Sequence, residues 1–314
     1  MKNTIKKDAF TRVNEIVLAG IQKDGLKWFK SWRNDYGYIC EPINRATKKN
    51  YNGINVFILN AEASVNGYSC NEWLTYKQAK SLNGQVKKGQ TSTTVVFWNI
   101  SYKDKETGKW YPNESAVRKA GLNPNDLEKS FSLKHYNVFN VDQCEGIEPT
   151  RQVEQVEESK FTPIQKAEQV VDNYLTKNKT LTLDWGGDSA HYRPSTDHVQ
   201  MPKQDTFLDA DSYYKVLFHE LGHSTGHKSR LNRKGITEIT NFGSTVYSKE
   251  ELVAEMIAVY SADLLNLEPK DGMANSFAYI KSWMQELTDD VAKDKKYLVN
   301  AMTQAHKGIK LIMA

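Results

Sequence analysis

The chain has 314 residues, 39% hydrophobic and 25% charged, with a formal net charge of only +4. That balance excludes a disordered chain, and the length suits roughly two domains. The opening MKNTIKKDAF carries no apolar core and no stretch nears 18 consecutive apolar residues, so neither an export signal nor a membrane span is expected.

The three cysteines, Cys40, Cys70 and Cys144, are scattered and form no CxxC. They suggest no disulfide framework, and the expected location is the reducing cytoplasm. The charge is unevenly placed. Residues 1–100 hold 15 Lys and Arg against 7 Asp and Glu, whereas residues 151–314 hold 20 against 23. A basic first half points to a polyanionic partner.

In chain order, apolar residues at Ile5, Ala9, Val13, Ile16, Val17 and Ile21 predict an amphipathic helix over 4–22, ending near Gly25. Basic and aromatic residues then interleave in Leu26-Lys27-Trp28-Phe29-Lys30-Ser31-Trp32-Arg33. Thr75 and Gln78 fit a capping box that opens a second helix, with Gly84 as its stop. The β-branched and aromatic run 91–102 reads as a strand and 131–141 as another. The polar stretch 103–129 between them reads as an insertion or long hairpin loop. Five of the seven tryptophans fall in the first 110 residues. Aromatic faces that stack on bases, with cations that follow phosphates, are what holds single-stranded nucleic acid. The candidate DNA-binding residues are Trp28, Trp32, Arg45, Tyr51, Trp73, Lys77, Lys87, Lys88 and Trp98.

Residues 146–162 are charged and poor in apolar groups, which predicts a linker between a domain at 1–145 and one at 163–314. The second part should open with a helix over 163–177, run extended through 180–200, and continue as helices. Within it, His219-Glu220-Leu221-Gly222-His223 is an HExxH motif. On a helix the two imidazoles sit one above the other and can reach one metal ion. The intervening Glu220 then lies where it can take a proton from a bound water, the arrangement of a zinc hydrolase. Asp209 or Asp211 can cap this helix, and Gly226 can stop it.

A catalytic zinc usually takes a third protein ligand. His227 does not fit, because the HExxHxxGxxH pattern would require histidine where Ser229 stands. Glu251 and Glu255 share one face of the helix predicted over 248–265. We assign Glu251 to the metal and Glu255 to orienting a ligand histidine through its other ring nitrogen. Two alternatives stay open: Ser248-x-x-Glu251 also spells a capping box, and Glu255 could be the ligand instead. Residues 191–202 should form a strand at the cleft edge along which substrate can add, with Tyr192 as a candidate oxyanion stabiliser.

Taken in order, these motifs resemble the ArdC-type antirestriction proteins of conjugative plasmids and related mobile elements. The likeness runs through Pro42-Ile43-Asn44, Tyr51-Asn52-Gly53-Ile54-Asn55 and Trp73-Leu74-Thr75-Tyr76 in the first half. It continues through Met201-Pro202, His219 to His227, and Tyr247 with Glu250-Glu251-Leu252-Val253-Ala254-Glu255. The resemblance implies an α+β protein with an N-terminal single-stranded-DNA-binding domain and a C-terminal zincin-like metallopeptidase domain. It further implies protection of incoming DNA from host restriction, with Zn2+ or another divalent ion such as Mn2+ as cofactor. A restriction enzyme or other DNA-associated protein would be the substrate. Two rival readings are a non-enzymatic DNA-binding protein whose metal braces the fold, and a metal-dependent nuclease. The carboxylate of Glu220 argues against the first, and a His2Glu donor set against the second.

Overall fold

The computed structural model describes residues 8–24, 41–150, 163–238, 245–268 and 294–314. The first half holds α1 (Ala9–Asp24), β1 (Ile43–Asn44), α2 (Ile54–Asn66), β2 (Glu72–Leu74), α3 (Tyr76–Ser81) and β3 (Gln85–Val86). It continues with β4 (Thr93–Lys103), β5 (Trp110–Tyr111), α4 (Glu114–Lys119), β6 (Glu128–Asn140) and β7 (Cys144–Glu145). Its main sheet has the order β1-β2-β6-β4-β5, with β1 and β2 parallel and the rest antiparallel. The capping box at Thr75 forms with both of its bonds, since Gln78 N–H donates to Thr75 Oγ1 and Thr75 N–H to Gln78 Oε1.

The insertion 103–129 is a small structure of its own at the far end of a long two-stranded ribbon. β4 and β6 pair without a break from Thr93↔Val138 to Lys103↔Glu128. Between them, β5 and α4 close over a cluster of Tyr102, Tyr111 and Val117. Alternation along the ribbon puts Phe97 and Tyr136 on one face and Trp98, Ile100 and Phe131 on the other.

The second half holds α5 (Pro163–Lys177), β8 (Thr182–Trp185), β9 (His191–Arg193), β10 (His198–Met201), α6 (Ala210–Ser224), α7 (Lys234–Thr237), α8 (Thr245–Leu264) and α9 (Tyr297–Met313). β10 lies between β8, to which it is parallel, and β9, to which it is antiparallel. No helix among the described residues is long and apolar enough to cross a membrane.

The division expected at 146–162 is a division in sequence and not in packing. One apolar core holds Val13, Val17 and Ile21 of α1 and Phe57 and Ile58 of α2 together with the buried faces of α6, α8 and α9. Phe57 meets Tyr260 edge to face at 5.4 Å, and Asn60 Nδ2 donates to the Tyr260 hydroxyl. The start of the expected linker is also tied down, because Thr150 donates from its N–H and hydroxyl to the buried Glu72 carboxylate. Residues 151–162 lie outside the described residues.

Gly53 shows why a glycine stands at this junction. Its φ is +62°, and a Cβ there would sit 3.1 Å from Thr303 Oγ1 of α9. Its N–H donates to Nδ1 of the buried His306 at 3.1 Å, which requires the ring to be neutral at that nitrogen. Burial, helped by Lys310, holds the His306 pKa down at about 4. A histidine depressed in the folded state contributes its full stability above its unfolded pKa near 6.5 and loses it as pH falls toward 4. About 3 kcal/mol of unfolding free energy should therefore disappear over that window. Urea unfolding at stepped pH checks this: His306→Asn, which keeps an acceptor but no titration, should flatten the slope. An equally steep slope in that variant would refute the assignment.

Candidate metal centre

Asp209 caps α6 by accepting from the Ser212 N–H at 2.7 Å. Tyr213, Tyr214, Leu217, Phe218 and Leu221 fix the buried side of the helix, which turns His219, Glu220 and His223 into a cleft of about 480 Å³. Gly222, inside the motif, lets α8 come close: a Cβ there would lie 3.2 Å from both Cα and O of Ala254. That approach brings three glutamates of α8 to the two imidazoles.

His219 Nε2 and His223 Nε2 are 3.1 Å apart. Glu251 faces both, with Oε2 3.5 Å from His219 Nε2 and Oε1 3.6 Å from His223 Nε2. Each ring's other nitrogen meets a different carboxylate. His219 Nδ1 is 3.1 Å from Glu255 Oε2, and His223 Nδ1 is 3.3 Å from Glu250 Oε1. A proton on each Nδ1 then leaves two bare Nε2 lone pairs and a carboxylate converging on one point. That arrangement repels itself unless a cation sits there. Ligands about 2.0–2.1 Å from a tetrahedral zinc lie about 3.3 Å from one another, and the three separations bracket that value. His219, His223 and Glu251 are thus the residues that fit a divalent ion, and among the described residues they form the cluster able to hold one.

The electrostatics agree with a site built for positive charge. Burial opposes a charge on His219, but Glu251 and Glu255 outweigh it and push its pKa up to about 10. Burial also works against the charged forms of Glu250 and Glu251, yet both are held below the usual carboxylate range. For Glu250 the opposing partners are Arg233 and His223, and for Glu251 they are the two histidines and Tyr247.

α8 begins at Thr245, so Ser248 lies inside the helix and not at its N-cap, which removes the capping-box alternative for Glu251. His227 turns away to Ser229, with Nδ1 2.8 Å from its hydroxyl. β9, at the edge of its sheet, lines the cleft, but the stretch 191–202 expected as one edge strand turns back on itself, and its second part, β10, lies in the middle of the sheet. Tyr192 on β9 needs a correction. Its hydroxyl donates to Asp197 Oδ1 at 2.8 Å, and burial together with Asp197 drives its pKa far up. Its proton is committed to Asp197, so it does not stand as a donor to an oxyanion. Tyr247, quoted in the motif but given no role there, lines the cleft and helps hold the Glu251 charge. Glu250 and its partner Arg233 were also given no role. The usable signal was that two ligand histidines each need an orienting acceptor, and only one had been assigned.

The candidate DNA residues divide sharply. Trp73 is 0% exposed, with its indole N–H donating to Asn71 Oδ1; it is a core residue with no face for a base. Tyr51 is likewise buried. Arg45 is taken up by the Glu148 carbonyl and the Glu72 carboxylate, and Lys87 donates to the Asp142 carbonyl. Lys77 and Lys88 are exposed. Trp98 is 44% exposed and touches Phe10 edge to face. Trp28 and Trp32 lie outside the described residues. Exposed aromatics outside the candidate set include Phe97, Phe131 and Tyr136 on the ribbon and, at its tip, Trp110 of the tryptophan-rich first half, where Lys103 Nζ lies 5.8 Å from the ring centre.

Residues 7–139 match the family model for the N-terminal domain of anti-restriction factor ArdC, and residues 169–303 match the zincin-like metallopeptidase model. The metal-free crystal structure of the antirestriction ArdC protein from plasmid R388 is similar with a TM-score of 0.67 at 30% identity, over 98% of this chain and 97% of that one. The chain belongs to the ArdC family of antirestriction proteins. The R388 ArdC protein is also known in a Mn(II)-bound structure, equally similar at 29% identity. An uncharacterized protein of Sinorhizobium fredii, y4eC, is 34% identical over 90% of this chain and 85% of its own length. DNA primase TraC of Escherichia coli is 32% identical over 91% of this chain, which spans only 25% of that primase. An ArdC-type N-terminal region and a zincin-like domain are therefore combined here in one α+β chain.

Proposed function

We propose that this ArdC-family protein binds single-stranded DNA through its first half and hydrolyses peptide bonds at the His219–His223–Glu251 centre, acting on proteins found on incoming DNA. The observation that carries the catalytic part is the convergence of two Nε2 lone pairs and the Glu251 carboxylate, with Glu220 in the same cleft. A divalent ion held there, zinc or manganese, would supply Lewis-acid activation. Glu220 takes the proton of the attacking water and delivers it to the leaving amine. β9 presents an edge along which an extended peptide can lie. The two-nitrogen, one-carboxylate donor set favours peptide over nucleic-acid hydrolysis, for which carboxylate-rich or paired-metal sites are the usual solution.

The DNA-binding part rests on the ribbon, whose exposed aromatics stand beside Lys103, Lys129 and Lys134. Trp98→Ala or Phe131→Ala should weaken binding of labelled single-stranded oligonucleotide by about 1–3 kcal/mol each. Binding should fall steeply with salt. The full-length protein is the right sample, because α1 and α2 share a core with the second half. Fluorescence anisotropy at stepped salt, alongside chelator-sensitive cleavage of a denatured protein, tests both parts. Absence of salt-dependent binding by the folded protein would remove the DNA claim, and cleavage of the oligonucleotide in place of the protein would favour the nuclease reading.

A further inference from the structure

Both metal-facing imidazoles are backed by a carboxylate, and each carboxylate is backed by a cation. Lys215, one turn before His219 on α6, lies 3.4 Å from Glu255 Oε1, whose Oε2 faces His219 Nδ1. Arg233, from the loop after α6, holds Glu250 through two bonds, Nη2 to Oε1 at 2.5 Å and Nε to Oε2 at 2.8 Å. Glu250 Oε1 in turn faces His223 Nδ1.

The two chains are built to different standards. The Arg233 and Glu250 side chains are each 5% exposed, and the Lys215 and Glu255 side chains 12% and 14%. The remaining guanidinium donors return to α6 itself, to Thr225 Oγ1 at 2.6 Å and to the Gly222 carbonyl at 2.8 Å. Arg233 therefore fastens Glu250 of α8 to the end of the helix that carries His223. Two glycines clear the space. A Cβ on Gly226 would lie 2.9 Å from Arg233 Nη2, and one on Gly235 would lie 2.7 Å from Glu250 Cβ. A guanidinium fork fixes a carboxylate in plane and direction, whereas an ammonium acts as a point charge and does not itself set the carboxylate's plane.

We infer that Arg233 is a positioning residue for the metal centre: through Glu250 it fixes the ring of His223 before a metal arrives, and this buried, two-bonded arm holds its histidine more tightly than the Lys215–Glu255 arm holds His219. The inference rests on the proposed metal site and goes beyond it in ranking the two arms. Arg233 touches no metal-facing atom; it acts through Glu250 and through its bonds to Thr225 and to the Gly222 and His223 carbonyls at the end of α6.

The experiment compares the full-length wild type with Arg233→Lys and Lys215→Met. It measures zinc affinity by chelator competition and the visible ligand-field spectrum of the Co(II)-loaded protein, with circular dichroism confirming the fold. Arg233→Lys should bind zinc about 10–100-fold more weakly, the usual consequence of losing an orienting partner, and its Co(II) spectrum should shift. Lys215→Met should weaken binding about fivefold or less, as a part-exposed ion pair predicts. A wild type that takes up neither zinc nor Co(II) would defeat the metal reading itself. A wild type that binds, beside a folded Arg233→Lys with unchanged affinity and spectrum, would leave that reading standing and overturn the role of Arg233. A loss for Lys215→Met as large as that for Arg233→Lys would overturn the ranking. If Arg233→Lys does not fold, Gly235→Ala decides, because it alters no charge or donor and only displaces Glu250. It should weaken zinc binding within the same range, and unchanged affinity there would equally overturn the proposal.

Discussion

Glu220→Gln is expected to keep its metal and to lose peptide hydrolysis by about 10²–10⁴-fold, the usual contribution of a positioned general base. The amide has nearly the shape of the carboxylate but cannot accept and return a proton. Glu220 lines the cleft beside both histidines and is 8% exposed, so the substitution removes a base without opening a void. His219→Ala and His223→Ala should fail differently, by losing the metal first. Hydrolysis of a denatured protein, measured together with metal content, separates the two failures. Cleavage at the wild-type rate by metal-loaded Glu220→Gln would sink the mechanism even if the metal site is real.

The sequence made some parts of this molecule legible because spacing alone determines them. Two histidines four apart on a helix must share a face, and Asp209, two residues before Asp211, caps that helix in the ordinary way. The strands of the ribbon could be read because Thr-Thr-Val-Val-Phe-Trp has few other uses. Which side of a residue meets solvent was not legible. Trp73 and Trp98 look alike in sequence, each near lysines, but one is enclosed between α2 and the sheet while the other stands on a projecting ribbon. Burial of this kind is decided by tertiary packing, which local composition does not encode. The Arg233–Glu250 pair was hidden for a related reason: its two residues come from separate elements and meet only because Gly226 and Gly235 make room. The common core of the two halves was equally out of reach. The apolar stripes of α1 and α2 announce that they bury against something, but not that their partners are α6, α8 and α9.

Glu251→Gln is expected to reduce zinc affinity by more than a hundredfold, and Glu255→Gln by about 10–100-fold. The ranking comes from what each carboxylate faces. Both oxygens of Glu251 look at the inner Nε2 atoms, at 3.5 and 3.6 Å. Those of Glu255 look at an outer Nδ1 and at Lys215, at 3.1 and 3.4 Å. A glutamine at 251 presents one neutral oxygen where an anion stood between two lone pairs. A glutamine at 255 can still accept from His219 Nδ1 and so retains much of the ring's orientation. Stability offers a second reading of the same variants. With Ser248 inside α8, Glu251 has no capping bond to lose, but its charge is held by His219 and His223, so the apo protein should lose stability at neutral pH when that charge is removed. Competitive zinc titration with parallel melting curves measures both quantities. Should Glu255→Gln lose its metal while Glu251→Gln retains it, the two roles are reversed and Glu255 is the third ligand; should neither lose it, the metal is held by a donor set that does not include these carboxylates.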